Sequence, residues 1–356
     1  MTPNPALGVV FHWLGGFASA SFYVPYKRIR LWNWEVFWLA GGLFSWLIAP
    51  WLFASLRTND LMGVLAATPR ETLFWCWFWG AMWGFGGLTF GLTMRYLGLS
   101  LGMAVALGLT TVIGTMGPPI FHGTIGAIAA STSGQLTLMG IVITLIGIIV
   151  VAKAGQAKSA ELGDDTSGQG VSEFNLKKGL LIAVFSGCLS GCFAWGLDAG
   201  QPIRDLTLAA GTDPLSQGLP VLCVVLAGGL TTNALWCAYL IARNRSWCQF
   251  AGASADPAQA ERAPLLTNWL LAALGGTLWY GQFFFYTMGE SQMGKYGFSS
   301  WTLHMASIIL FSTLWGFALK EWLGASARTR TLVWAGIGLL IGATVVIGGG
   351  NMLAAQ

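Results

Sequence analysis

The sequence predicts an all-α polytopic membrane protein with ten transmembrane helices arranged as two inverted five-helix repeats. Three observations predict the helical membrane class. Ten apolar stretches fill most of the 356 residues, each close to the roughly 20 helical residues that a bilayer core of about 30 Å requires. Between Arg95 and Lys153 there is no Asp, Glu, Lys or Arg, and that gap alone holds two spans. Only 9% of the residues are charged, against about 25% in ordinary soluble chains. A soluble domain could not carry so much apolar sequence without exposing it.

The elements follow in chain order. A span at 6–26 holds His12 about two turns in. It starts without a basic n-region, so the N-terminus reads as the first helix and not as a cleavable signal. A span at 34–56 opens on Asn33 and Glu35, where the helix dipole favours a carboxylate and Lys27 or Arg28 offers a partner. The span at 71–94 presents Trp79 and Trp83 on one face and ends at Arg95. Spans at 99–121 and 136–152 occupy the uncharged gap. Residues 153–177 form a polar connection that reads as a flexible linker. It divides a first repeat (1–152) from a second (178–356). The span at 178–199 ends near Asp198, and the one at 216–242 carries Asn233 in its inner half. Residues 243–264, rich in Ala, Pro and charge, read as a second flexible loop. Spans at 265–289, 298–319 and 331–351 complete the set, the ninth with Trp301 and His304 in its first turns.

Orientation follows from alternate loops, because cytoplasmic loops collect Lys and Arg. One side holds 14 of the 18 basic residues, so that side is cytoplasmic and both termini lie outside. The halves resemble each other weakly. Gly8, Gly16, Ser19 and Phe22 recur as Gly179, Gly187, Ser190 and Phe193, and Gly80, Trp83 and Gly98 recur as Gly276, Trp279 and Gly294. Five helices is an odd number, so such halves must be inverted, a common build for secondary transporters with substrate held near the midplane.

Composition bounds the chemistry. The 49 Gly allow close helix packing and many of the 19 Trp suit the interface. The net charge of +4 is small and loop-borne, which suggests membrane lipids and no nucleic acid as partners. The six Cys lack a metal-ligand pattern and read as small buried hydrophobes; neither a metal nor another cofactor is expected. No nucleotide-binding loop or hydrolase motif is present, so the chain is not expected to be an ATP-driven pump or an enzyme.

Ionisable groups inside spans are costly and need a reason. His12, His304, Asp198 and Glu290 all fall toward the outer face, where an importer would load a proton. They are the proton-coupling candidates, with Glu35 as a fifth. A lone His on an apolar helix is otherwise a packing residue, and Asp198 and Glu290 have an interfacial reading. In the eighth span, Gln282, Tyr286 and Glu290 stand at i, i+4 and i+8 on one face, with Trp279 one turn earlier. Sugars are held by such a combination, an aromatic face for the C–H face of the ring and amides or carboxylates for the hydroxyls. The substrate-binding candidates are Gln282, Trp279, Tyr286, Trp83, Trp301 and Asn233.

Several longer stretches carry a resemblance. They are His12 with Phe22-Tyr23-x-Pro25-x-Lys27; Trp32-x-Trp34-Glu35; Gly91-Leu92-Thr93-Met94-Arg95-Tyr96-Leu97-Gly98; Glu173-Phe174-Asn175-Leu176-Lys177-Lys178-Gly179; Trp279-Tyr280-x-Gln282-Phe283-Phe284-Phe285-Tyr286; Ser300-Trp301-x-Leu303-His304-Met305; and Lys320-Glu321-Trp322. Through them the chain resembles the L-rhamnose–proton symporter family of the drug/metabolite transporter superfamily, over nearly its whole length. The resemblance implies ten helices in two five-helix repeats, and inward transport of L-rhamnose or a related sugar with protons across a bacterial inner membrane. Ten-helix exporters of that superfamily keep both termini in the cytoplasm, whereas the basic-residue count puts both outside. The alternatives are a facilitator or exporter of another small metabolite, and a membrane-embedded enzyme acting on a lipid-linked sugar. Short loops and the lack of an acidic metal-binding motif speak against the enzyme.

Overall fold

The computed structural model of the chain describes residues 3–97, 99–162, 175–253 and 262–355, and for residues 91, 94, 95, 99 and 100 the backbone alone. Gly98, residues 163–174 of the 153–177 linker (Glu173 and Phe174 among them), and residues 254–261 of the 243–264 loop lie outside the described residues. The described part is helical throughout, without strands. Asn4 starts it: its side chain accepts from Leu7 N, and Pro5 takes the first helical position, where a missing N–H is harmless. Ten long rods follow. They are α1 (Pro5–Tyr26) and α2 (Trp34–Arg57), α3 (Arg70–Leu97), α4 (Leu99–Phe121), α5 (Thr132–Leu162), α6 (Leu176–Ala199), α7 (Leu219–Asn244), α8 (Leu265–Gln292), α9 (Ser300–Ala318) and α10 (Ala327–Ala355).

Among the described residues, eight helices are long and apolar enough to cross a membrane. The rods that fall short are α3 and α8, each of 28 residues. In α3 the apolar residues are largely Trp and Phe interleaved with Gly, and α8 mixes six Leu with Trp, Phe, Tyr and Gly and adds Asn268 and Gln282. These two rods carry most of the aromatic and amide residues picked from the sequence.

Two expectations are corrected. The fifth span does not stop at residue 152: α5 runs ten residues further, to Leu162. The segment Lys153–Leu162 is polar but, apart from Gly155 and Ser159, made of Ala, Lys, Gln, Glu and Leu, which are good helix formers. Its last turn is anchored, because Glu161 accepts from Ser326 N, Ser326 Oγ and Thr329 Oγ1 (2.6–2.7 Å) at the start of α10. Nor is the start of the 243–264 loop free. Ser246–Ala251 forms a 3-10 helix with Ser246 and Gln249 buried. Short helices at Leu61–Ala67, Ile125–Ala130 and Gln201–Ala209 also occupy connections read as loops.

Helices here cannot be driven together by the hydrophobic effect alone, since lipid tails are as apolar as Leu, so small residues at crossings matter. At the α3–α7 crossing, a Cβ on Gly80 would run into the Val225 carbonyl oxygen, and one on Gly228 into the Trp77 carbonyl. At the α2–α8 crossing, a Cβ on Gly276 would strike the Gly41 carbonyl. Along α5–α10, Gly140 meets Ile347, Gly147 meets Leu340, Gly336 meets Val151 and Gly350 meets Thr137. The largest core cluster lies between α2, α6, α7, α8 and α9 and includes Trp46, Phe193, Leu222, Tyr280, Phe283 and Trp301.

In α2, Phe44–Ile48 winds as a π-helix just ahead of Pro50. The proline ring clashes with a carbonyl one turn back, and a widened turn relieves that contact. The turn sets Trp46 against Trp38 (ring centroids 5.9 Å apart) and toward the bundle interior.

Candidate functional site

Midway along α1, Gly15 packs against the Gln282 carbonyl and the His304 ring, and Gly16 against Ser307. Larger residues would hold α1 away from α8 and α9. With glycine there, His12, Tyr286 and His304 meet in the interior. His12 is 0% exposed and His304 1%. The Tyr286 ring lies edge-on to both imidazoles with centroids 5.3 Å away, and the imidazoles are 6.5 Å apart. Among the described residues neither ring nitrogen of His12 has a hydrogen-bond partner, and Nδ1 of His304 has none. His304 Nε2 contacts Gln282 Oε1 at 3.3 Å. An amide oxygen is an acceptor, so this bond forms with the ring that carries hydrogen on Nε2.

Gln282 and His304 border a cavity of about 680 Å³. The cavity extends from Trp301 to Lys158, Glu321 and Trp322 at the end of the bundle where α1, α5 and α9 finish. That end is latched loosely. Glu321 accepts from Lys27 (3.4 Å) and lies 4.0 Å from Lys158, whose ammonium sits over the Trp322 ring. Three side-chain donors of lining residues, Trp46 Nε1, Trp279 Nε1 and Gln282 Nε2, are buried without a partner among the described residues. Orphaned buried donors are costly and rare, and three around one cavity suit a ligand rich in oxygen acceptors. Asn233 also lines it. It accepts from Trp38 Nε1 (2.9 Å), and its Nδ2 donates to Gly229 O. Aromatic walls complete the space: Phe22 on Trp279 (4.3 Å), and Trp83 against Phe193 (5.0 Å) and Phe283 (5.5 Å).

Five of the six residues picked from the sequence for substrate, Trp83, Asn233, Trp279, Gln282 and Trp301, therefore line one cavity. Tyr286 stands just behind it. Trp301 has its Nε1 occupied, donating to Thr110 O (3.0 Å), and stacks on Phe193. Trp79, paired with Trp83 in the sequence, turns away and packs on Trp75 and Trp195. Sequence reasoning missed Trp46, whose direction depends on the π turn, and Arg204, which looks like a loop charge.

The acidic candidates separate. Glu290 pairs with Arg204 (2.7 Å), both largely buried. Asp198 pairs with His122 (2.8 Å) in a half-exposed position. Both acids border a second cavity of about 340 Å³ on the other side of Tyr286 and Trp301. Glu35 joins neither cavity and does not pair with Lys27 or Arg28. It is buried and accepts from Asn33 Nδ2 (3.2 Å), Asn244 Nδ2 (2.9 Å) and Ser246 Oγ (2.8 Å). The chain turns at Leu31 (φ 59°), and Lys27 goes to Glu321 instead. Glu35→Ala would strand three donors, so a loss of about 2–3 kcal/mol of stability is expected. It should appear as a lower thermal midpoint in detergent with an unchanged KM in surviving protein.

Four of the six Cys, Cys76, Cys192, Cys223 and Cys237, are buried. Among the described residues no group of His, Cys, Asp and Glu is arranged to hold a metal ion.

A helical bundle with many membrane-crossing rods, an interior cavity with unpaired donors and a buried imidazole pair defines a membrane carrier of small polar solutes. The chain belongs to the L-rhamnose-proton symport protein (RhaT) family, whose model matches residues 1–354. The family is one of transporters, so the chain is a transport protein and not an enzyme. It is 36% identical over 343 residues to an L-rhamnose-proton symporter of Cronobacter sakazakii, covering 96% of each chain. It is 37% identical over 345 residues to one of Citrobacter koseri, covering 97% of each. A third, of Klebsiella pneumoniae strain 342, is 37% identical over 343 residues, or 96% of this chain and 97% of that one.

Proposed function

We propose that this chain imports L-rhamnose, or a related deoxy sugar, in symport with protons across a bacterial inner membrane. The observation that carries the reading is the His304–Gln282 contact, because it joins the imidazole pair to the cavity with the orphaned donors. In the symport cycle a proton enters the His12–His304 pair, and an added charge on His304 strengthens its bond to Gln282. Gln282 Nε2 is thereby held toward the cavity, where a sugar hydroxyl accepts from it. Trp279 and Trp83 offer faces to the C–H side of the ring. Each ligand raises the affinity for the other by the same factor, as linkage requires.

The reading includes ten transmembrane helices, α3 and α8 among them, in two inverted repeats of five. Helix packing supports this. Exchanging the halves turns the α1–α8 contact into α6–α3 and α1–α9 into α6–α4, while α2–α7 and α5–α10 map onto themselves. Detail agrees: Gly15 rests on the Gln282 carbonyl, and Ser186, its counterpart, donates to the Gly86 carbonyl. Phe22 on Trp279 matches Phe193 on Trp83. The excess of basic residues on one side supports both termini outside. The larger cavity then reaches the cytoplasmic end, and the Arg204–Glu290 pair closes the outer end, which is an inward-facing arrangement.

The test is uptake of radiolabelled L-rhamnose into proteoliposomes with and without an inward proton gradient. Accumulation above equilibrium that collapses with a protonophore is expected. Equilibration without accumulation would make the chain a facilitator, and absence of flux would strike out the sugar. Trp279→Ala should raise the apparent KM roughly tenfold, equivalent to about 1.4 kcal/mol. A KM that stays at the wild-type value would remove Trp279 from the site.

A further inference from the structure

The second cavity has a composition that the closing of a gate does not require. Besides the Arg204–Glu290 ion pair it is bordered by Asp198, Gln217 and Ser291, with Tyr286 and Trp301 as its inner wall. Its volume of about 340 Å³ is ample for one monosaccharide. The polar equipment is only partly used. Glu290 Oε2 accepts from Arg204, while Oε1 has no partner among the described residues. The Gln217 side chain makes no hydrogen bond there either. The ion pair is 12% and 19% exposed, so its groups sit inside the pocket mouth and not on an open rim.

We infer that this outer cavity is a second sugar subsite, a loading position in which an entering monosaccharide hydrogen-bonds to Arg204, Glu290 and Gln217 before it passes Tyr286 and Trp301. This rests on the reading of the chain as an L-rhamnose importer with α1 starting outside. Two carboxylates against one guanidinium disfavour an anion. A neutral polyol suits the mixture, since its hydroxyls donate to the carboxylates and accept from the guanidinium and the amide. Trp301 borders both cavities, so one indole supplies a ring face to each position and the transfer distance is a single side-chain layer. In this arrangement sugar hydroxyls substitute for the bonds of the Arg204–Glu290 pair. Arrival of the substrate thereby loosens the contact between α8 and the Gln201–Ala209 helix that holds the outer end shut.

Ser291→Cys tests this. Ser291 lines the cavity and is close to cysteine in size, and its hydroxyl donates to Met288 O and accepts from Gln292 Nε2 (3.3 Å), both within its own helix. Intact cells making this variant would be treated with a membrane-impermeant thiosulfonate, with a chain carrying only the native cysteines as background. L-rhamnose is expected to slow labelling several-fold. It should do so equally when the inner site is crippled by Gln282→Ala, or by Trp279→Phe should the first variant fail to fold. Protection that disappears in both inner-site variants would mean that the cavity merely follows a conformational change, and would overturn the proposal. So would absence of protection in a Ser291→Cys chain that still accumulates L-rhamnose. A Ser291→Cys chain that neither accumulates L-rhamnose nor is protected would instead count against L-rhamnose as the substrate, and a site that never labels from outside would overturn the assignment of this cavity to the outer face.

Discussion

His304→Asn is expected to abolish uphill uptake, so that L-rhamnose inside proteoliposomes only equals that outside, while counterflow exchange of labelled for unlabelled sugar continues. Asn keeps a hydrogen-bonding group near Gln282 but cannot take up a proton. The two halves of the prediction therefore separate coupling from binding. A linkage of about 1–3 kcal/mol corresponds to a 5–150-fold mutual effect of proton and sugar, and in the variant the pH dependence of the sugar half-saturation should flatten by that factor. Preserved accumulation in His304→Asn would move the carrier to His12, which lies one Tyr286 ring away. Preserved accumulation in both single variants, and in a double variant, would end the histidine mechanism.

Gly80→Val should leave almost no monodisperse protein after detergent extraction. The crossing there is backbone against backbone: Gly80 faces the Val225 carbonyl, and Gly228 faces the Trp77 carbonyl and the Ala81 amide. Carbonyls cannot rotate aside as a flexible side chain can. Overpacking of this kind costs typically about 1–3 kcal/mol and more where nothing yields, a large part of ordinary folding stability. Gly342, which has open space around its missing Cβ, provides the control; Gly342→Val should elute and melt like wild type. Equal yields for the two variants, read by fluorescence-detected size exclusion, would contradict the packing described at this crossing.

Helix extents were largely legible in the sequence, because a long apolar run between charged turns leaves few alternatives. The exception, α5, shows the limit of hydropathy: Lys153–Leu162 leaves the apolar register but not the helix, and its anchor is a contact 165 residues away between Glu161 and Ser326. Individual candidate residues stood out for a similar reason, since a polar group inside an apolar span is costly and needs a reason. Which of them meet was not. The convergence of His12, Gln282 and His304 depends on the α1–α8–α9 approach at Gly15 and Gly16, and glycine is too common here for one pair to stand out. Glu35 misled for a different reason. Its nearest basic residues in sequence, Lys27 and Arg28, are separated from it by a turn, and its partners Asn244 and Ser246 arrive from more than 200 positions away.

The seam between α5 and α10 bears on pharmacology. Glycines lock the two rods together along their length and Glu161 ties their ends, yet α5 also supplies Ile148 and Val151 to the wall of the larger cavity. A wall braced in this way keeps its shape while less tightly joined rods shift. A blocker that leans only on Ile148 and Val151 meets the same surface at each stage of the cycle and inhibits without state preference. One that also reaches Trp279 and Gln282 leans on α8, outside this braced pair, and its potency is expected to depend on which stage the carrier occupies.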